Sequence, residues 1–71
     1  MPATALASLD DVFAQLKNRH LAGNELALGP VCTRVMLRTG ANLRSPRPDQ
    51  LHDPVLLAKV VNCLAEMGYP L

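Results

Sequence analysis

A chain of 71 residues forms one domain with a small core, since folding at this length buries only about 60% of the surface that the unfolded chain exposes. Stability of roughly 4–10 kcal/mol then leaves little to offset the strain of an enclosed active site. The formal net charge of +1 excludes attachment to nucleic acid or anionic lipid by bulk charge, and local charge has to be read instead.

No run approaches the roughly 20 apolar residues of a membrane span. The start MPATALASLDD lacks the basic and long apolar regions of a secretion signal, so a cytoplasmic protein is expected. Cys32 and Cys63 are accordingly expected as free thiols. Aromatic residues are scarce, with only Phe13, Tyr69 and no Trp, so Leu, Val, Ala and Met do the packing.

Residues 1–7 are small and apolar with no cap before them, and read as an N-terminal arm ahead of a single domain over 8–71. Ser8-Leu9-Asp10-Asp11 has the form of an N-cap followed by acids in the first turn, where unpaired amides favour negative charge. Leu9, Val12, Phe13 and Leu16 share one stripe, which predicts a helix over about 9–21, stopped by Gly23. Asn24 to Gly29 reads as a turn, because Gly29-Pro30 removes an amide donor from any long helix. Pro30 suits a first helical position. Leu28, Val31, Cys32, Val35, Met36 and Thr39 fall on one face, so a second helix is predicted over about 30–39 with Gly40 as its stop. The stretch ANLRSPRPDQLH, 41–52, reads as a connecting loop. Asp53-Pro54 pairs a cap with proline at N1 and starts a third helix over about 54–67, ended by Gly68 and Pro70. The fold expected is all-α, a three-helix bundle or an orthogonal helical array.

The last of these helices has an unusual surface. Lys59, Asn62 and Glu66 form a narrow polar stripe with Val55 beside it, while Leu56, Leu57, Val60, Val61, Leu64 and Met67 cover well over half the circumference. A helix lying on one core needs a stripe of only about 100°. Either the domain wraps a central helix on several sides, or part of that arc meets another chain. The second reading is the one expected, because an uncovered apolar patch is an aggregation liability. It makes Leu57, Val61 and Leu64 the candidate homodimer contacts and turns Leu56, Val60 and Met67 inward, although the projection also permits the two sides to be exchanged.

Between Val31 and Pro48 the chain carries Arg34, Arg38, Arg44 and Arg47 and no acid. Arg34 and Arg38 are one turn apart, and guanidinium forks bind carboxylate or phosphate bidentately. The plainer alternative is a solvated face paired with Asp49, Asp53 or Glu66. Leu37 lies beside Arg34 and away from the apolar face, which favours a protein contact. Arg34, Leu37, Arg38, Arg44 and Arg47 are therefore the candidate partner-binding residues. A helix-turn-helix fits poorly, because the loop after Gly40 is long and the last helix offers base edges little polar chemistry.

Other chemistry is thinly represented. His20, His52, Cys32 and Cys63 have no close ligand pair, which is not a zinc spacing, and no metal or cofactor is expected. His20 projects onto the stripe of Leu9 and Leu16 and reads as a helix-end residue at the core edge. Both cysteines occupy apolar helical positions, Ser8 and Ser45 read as cap and loop, and Asp10-Asp11 is explained by the helix start. The function expected is a non-catalytic protein-interaction module, a regulator, adaptor or chaperone that dimerises or docks through the C-terminal helix. The alternative is a nucleic-acid-binding regulator using Arg34, Arg38, Arg44 and Arg47.

Overall fold

The computed structural model describes residues 6–71, so the greater part of the N-terminal arm lies outside the described residues. Leu6 packs against the core, and the Ala7 carbonyl accepts a hydrogen bond from His52 Nδ1 at 3.2 Å. The first helix, α1 (Leu9–His20), starts where the sequence places its cap. Ser8 Oγ accepts from the Asp11 amide at 3.2 Å, and the Asp11 carboxylate accepts in return from the Ser8 amide at 3.1 Å. This reciprocal pair satisfies two otherwise unpaired donors. Leu9, Val12 and Leu16 are fully buried.

The second helix, α2, spans Glu25–Thr39 and runs through Pro30 without a break. It is five residues longer at its start than the 30–39 predicted from Gly29-Pro30. Gly29 supplies the reason: without a Cβ it removes part of the clash between a proline ring and the preceding residue. Burial of Leu28 then rewards extending the apolar face of Val31, Cys32 and Val35 by another turn. The helix ends at Gly40 in the left-handed region, φ 80°, with its amide on the Met36 carbonyl at 2.8 Å.

The segment predicted to be a plain loop is built into the core. Ala41 and Leu43 are buried, and between them the Asn42 side-chain oxygen accepts from the amides of Arg44 and Ser45 at 3.1 and 2.9 Å. Such a side-chain turn satisfies the backbone while leaving the flanking apolar residues free to point inward. One turn of helix follows, α3 (Pro48–Leu51), and Gln50 on it donates to the Gly40 carbonyl at 3.3 Å. The architecture is thus three long helices and one single-turn helix, all-α among the described residues.

The last helix, α4 (Pro54–Glu66), is capped by Asp53, whose Oδ1 accepts from the amides of Val55 and Leu56 at 3.0 and 3.3 Å. α2 packs chiefly on α4, while α1 touches both α3 and α4. Val60 and Leu64 are completely buried, Leu57 and Cys63 nearly so, and Leu56, Val61 and Met67 are half-buried against the same cluster. Leu57 and Leu64, expected at a homodimer contact, therefore belong to the chain's own core, and Val61 lies at its margin. Of the large apolar residues on α4 only Val55 is exposed. The wide arc belongs to a core cluster that takes in Ala41 and Leu43 as well as the long helices, with Tyr69 and Leu71 packed against it. A radius of gyration of 11.2 Å matches the roughly 11 Å of a packed domain of this length.

Leu64→Ala should lower the stability of the monomer by about 2–5 kcal/mol, read as a fall in the urea midpoint. An unchanged midpoint would place Leu64 on the surface.

Candidate functional site

Because Leu28, Val31, Cys32 and Val35 turn inward, Leu26, Pro30, Thr33 and Leu37 turn outward at i, i+4, i+7 and i+11 of α2. Leu26 is 90% exposed and Leu37 79%, which makes this ridge the most exposed apolar surface among the described residues. Met36, placed by periodicity on the inward face, is 45% exposed at the ridge's edge. Leu37 stands in solvent, as its position beside Arg34 predicts.

The four arginines of the basic segment do not form a single patch. Arg34 borders an open groove of about 240 Å³ between α2 and the C-terminal tail, walled by Ala27, Pro30, Val31, Met67 and Tyr69. Arg44 lies on the other flank of α2, at a shallow depression of about 170 Å³ with Cys32, Thr33, Met36 and Asn42. Arg38 is held by Glu66 across the α2–α4 junction at 2.9 Å, and that hydrogen bond keeps its guanidinium still more firmly protonated. Arg47 pairs with Asp49 at 3.4 Å. Among the described residues Arg34 and Arg44 have no ion pair.

The wall of the larger groove is fixed by the tail. Gly68, at φ 96°, lets the Tyr69 amide turn back to the Leu64 carbonyl at 2.8 Å, closing α4 in the manner of a Schellman motif. His20 Nε2 then bonds the Pro70 carbonyl at 2.8 Å, and the His20 ring meets Tyr69 edge-on with centroids 5.5 Å apart. His20 is thus the core-edge, helix-end residue that its stripe position predicts, with the added task of holding the tail.

The remaining reactive groups are dispersed. Among the described residues no three of His, Cys, Asp or Glu converge. His52 is spent on Ala7, and Cys63 Sγ lies 3.7 Å from Met67 Sδ. Burial pushes the Cys32 thiol above its ordinary range, partly offset by the nearby Arg44 charge. The Cys32 proton is therefore retained more tightly in the folded state than in the unfolded chain. Its contribution to stability is complete below the usual thiol range and is lost as pH rises through the elevated value. No described helix is long and apolar enough to cross a membrane.

Periodicity alone singles out neither Leu26 nor the groove walls Ala27, Met67 and Tyr69. Carrying the helix back through Pro30 would have placed Leu26 on one line with Leu37. The Tyr69 wall depends on the tail's reversal, for which Gly68 is the only local sign. In comparisons with known proteins, no family model matches the chain, and neither a curated relative nor a solved structure does.

Both thiols are free and buried, so Ellman's reagent at neutral pH should react slowly with the native protein and rapidly in denaturant. Stoichiometric reaction of Cys32 within seconds under native conditions would contradict its burial.

Proposed function

We propose that the chain is a non-catalytic protein-interaction module, a regulator or adaptor, whose docking surface is the outer face of α2. The carrying observation is the pair Leu26 and Leu37, 90% and 79% exposed on one helix face, the most exposed large apolar side chains among the described residues. Leaving two leucines in water contributes nothing to the fold, whereas burying each against a partner is worth roughly 1.5–3 kcal/mol. Their isolation also keeps the continuous apolar area modest, which suits a chain that stays dispersed until a partner arrives.

The C-terminal helix serves this function indirectly. Its arc is occupied by the chain's own core, so it supports α2 from behind, and the outer face is preformed on a packed helix. Rigid, preformed surfaces lose less entropy on association. Arg34 borders the groove, Leu37 and Arg38 follow it on α2, and Arg44 and Arg47 lie in the segment after that helix. A nucleic-acid role draws less support, since Glu66 and Asp49 neutralise two of the four arginines and the other two lie on opposite flanks of a leucine ridge.

The double variant Leu26→Ser with Leu37→Ser should keep its helical circular dichroism and lie within about 1 kcal/mol of the parent in stability, because both positions are exposed. Immobilised on beads in an extract of the native cell, it should lose proteins that the parent chain retains. Identical protein profiles on the two chains would remove α2 as the docking face. Binding of the parent to random duplex DNA, falling steeply with salt, would favour the nucleic-acid role instead.

A further inference from the structure

Resting on that reading of α2, the geometry points to an acidic amphipathic helix of another chain as the occupant. It lies along the Leu26–Leu37 ridge, seats one apolar side chain in the groove beside Arg34, and sets a carboxylate on the Arg34 guanidinium. The first support is charge. From Leu26 to Pro48 there is no acid, and Arg34 and Arg44, one on each flank of the ridge, have no ion pair among the described residues. A carboxylate arriving there forms a charge-assisted, bidentate contact that the free protein lacks.

A second copy of this chain answers that charge badly. Of its six acids, Asp11 closes the α1 capping box, Asp53 caps α4, Asp49 holds Arg47 and Glu66 holds Arg38, which leaves Asp10 and Glu25. An antiparallel pairing of two α2 helices would set Leu26 of one copy on Leu37 of the other. Glu25 would then meet an Arg38 that Glu66 already holds, and Arg34 and Arg44 would stay unanswered. A different, acidic chain supplies the complementary surface better than this pairing does.

Size and spacing decide the form of that chain. A groove of about 240 Å³ falls below the roughly 300–1,000 Å³ of sites that enclose a whole small molecule, and it fits one side chain of a larger ligand. Ala27, Pro30, Val31 and Met67 give it apolar walls, Arg34 and Tyr69 add polar surface of nearly equal extent, and a methionine wall adapts readily to the shape inserted. Leu26 and Leu37 are eleven residues apart, about 16 Å along the helix at 1.5 Å per residue. Three turns of a partner helix cover that distance, with its apolar residues at helical spacing and its acids on the flanks.

The test uses a synthetic helical peptide with leucines at i, i+4, i+7 and i+11 and flanking glutamates, beside a control in which each glutamate is lysine. Calorimetric titration into the full chain should detect the acidic peptide and not the basic one. Arg34→Glu should weaken the acidic peptide by roughly tenfold and strengthen the basic one, as expected for one close charge pair. Amide shifts on binding should appear at Ala27, Arg34, Met67 and Tyr69. Equal binding of the two peptides, no binding of the acidic one at low salt, shifts confined to α4 around Val55, or a stable dimer of the free chain through α2 would each overturn the inference. If the acidic peptide fails while capture still depends on Leu26 and Leu37, the acidic occupant falls and the docking face stands. If capture is independent of them as well, both fall.

Discussion

The need to bury α4 organises the whole molecule. A helix with apolar residues around well over half its circumference cannot be covered by α1 and α2 alone, and Val60 and Leu64 are nonetheless completely buried. The extra cover comes from segments that carry little regular structure. Ala41 and Leu43 reach the core because the Asn42 side chain satisfies the turn between them and Gln50 ties it to Gly40. Tyr69 and Leu71 reach it because Gly68 permits the left-handed turn and His20 anchors the Pro70 carbonyl. Each polar contact holds an apolar side chain in place, and none leaves a buried side-chain polar atom without a partner among the described residues.

With α4 enclosed except at Val55, the most exposed large apolar side chains among the described residues are Leu26 and Leu37 on α2. That helix is buried along one face by Leu28, Val31, Cys32 and Val35, and its opposite face carries Leu26 and Leu37, flanked by Arg34 and Arg44, which have no ion pair among the described residues. The groove beside Arg34 exists only because the tail turns back alongside α2, so the same His20 contact that completes the core also shapes the proposed docking site. Core and surface are therefore built by the same few residues. The arrangement suits recognition of another protein, where a small number of well-placed anchors dominates the binding energy.

Much of this was legible in the sequence, because it rests on local signals. Ser8 with Asp11, and Asp53 with Pro54, marked two helix starts correctly, and Gly40 and Gly68 marked two stops. The stripe of Leu9, Val12, Phe13 and Leu16 marks the inward face of α1, with Phe13 half-buried at its margin, and the position of Leu37 beside Arg34 marks it as exposed. Non-local effects decided the rest. Proline usually breaks a helix, and here Gly29 before it and Leu28 buried behind it override that tendency. The 41–52 stretch has loop composition, yet two small and medium apolar residues within it complete the core. Once they do, Leu57 and Leu64 move from a supposed dimer contact to the interior. The even run of four arginines also concealed their division, since only the packed structure shows that Glu66 and Asp49 answer two of them and that α2 separates the others.

Hydroxyl-radical footprinting of the native chain, read residue by residue by mass spectrometry, measures directly which apolar side chains meet water. Leu26, Met36 and Leu37 should be oxidised rapidly, while Leu57, Val60 and Leu64 should be protected to the level of Leu9 and Leu16. Fast oxidation of Leu57 and Leu64, with Leu26 and Leu37 protected, would show that α4 and not α2 carries the exposed apolar face.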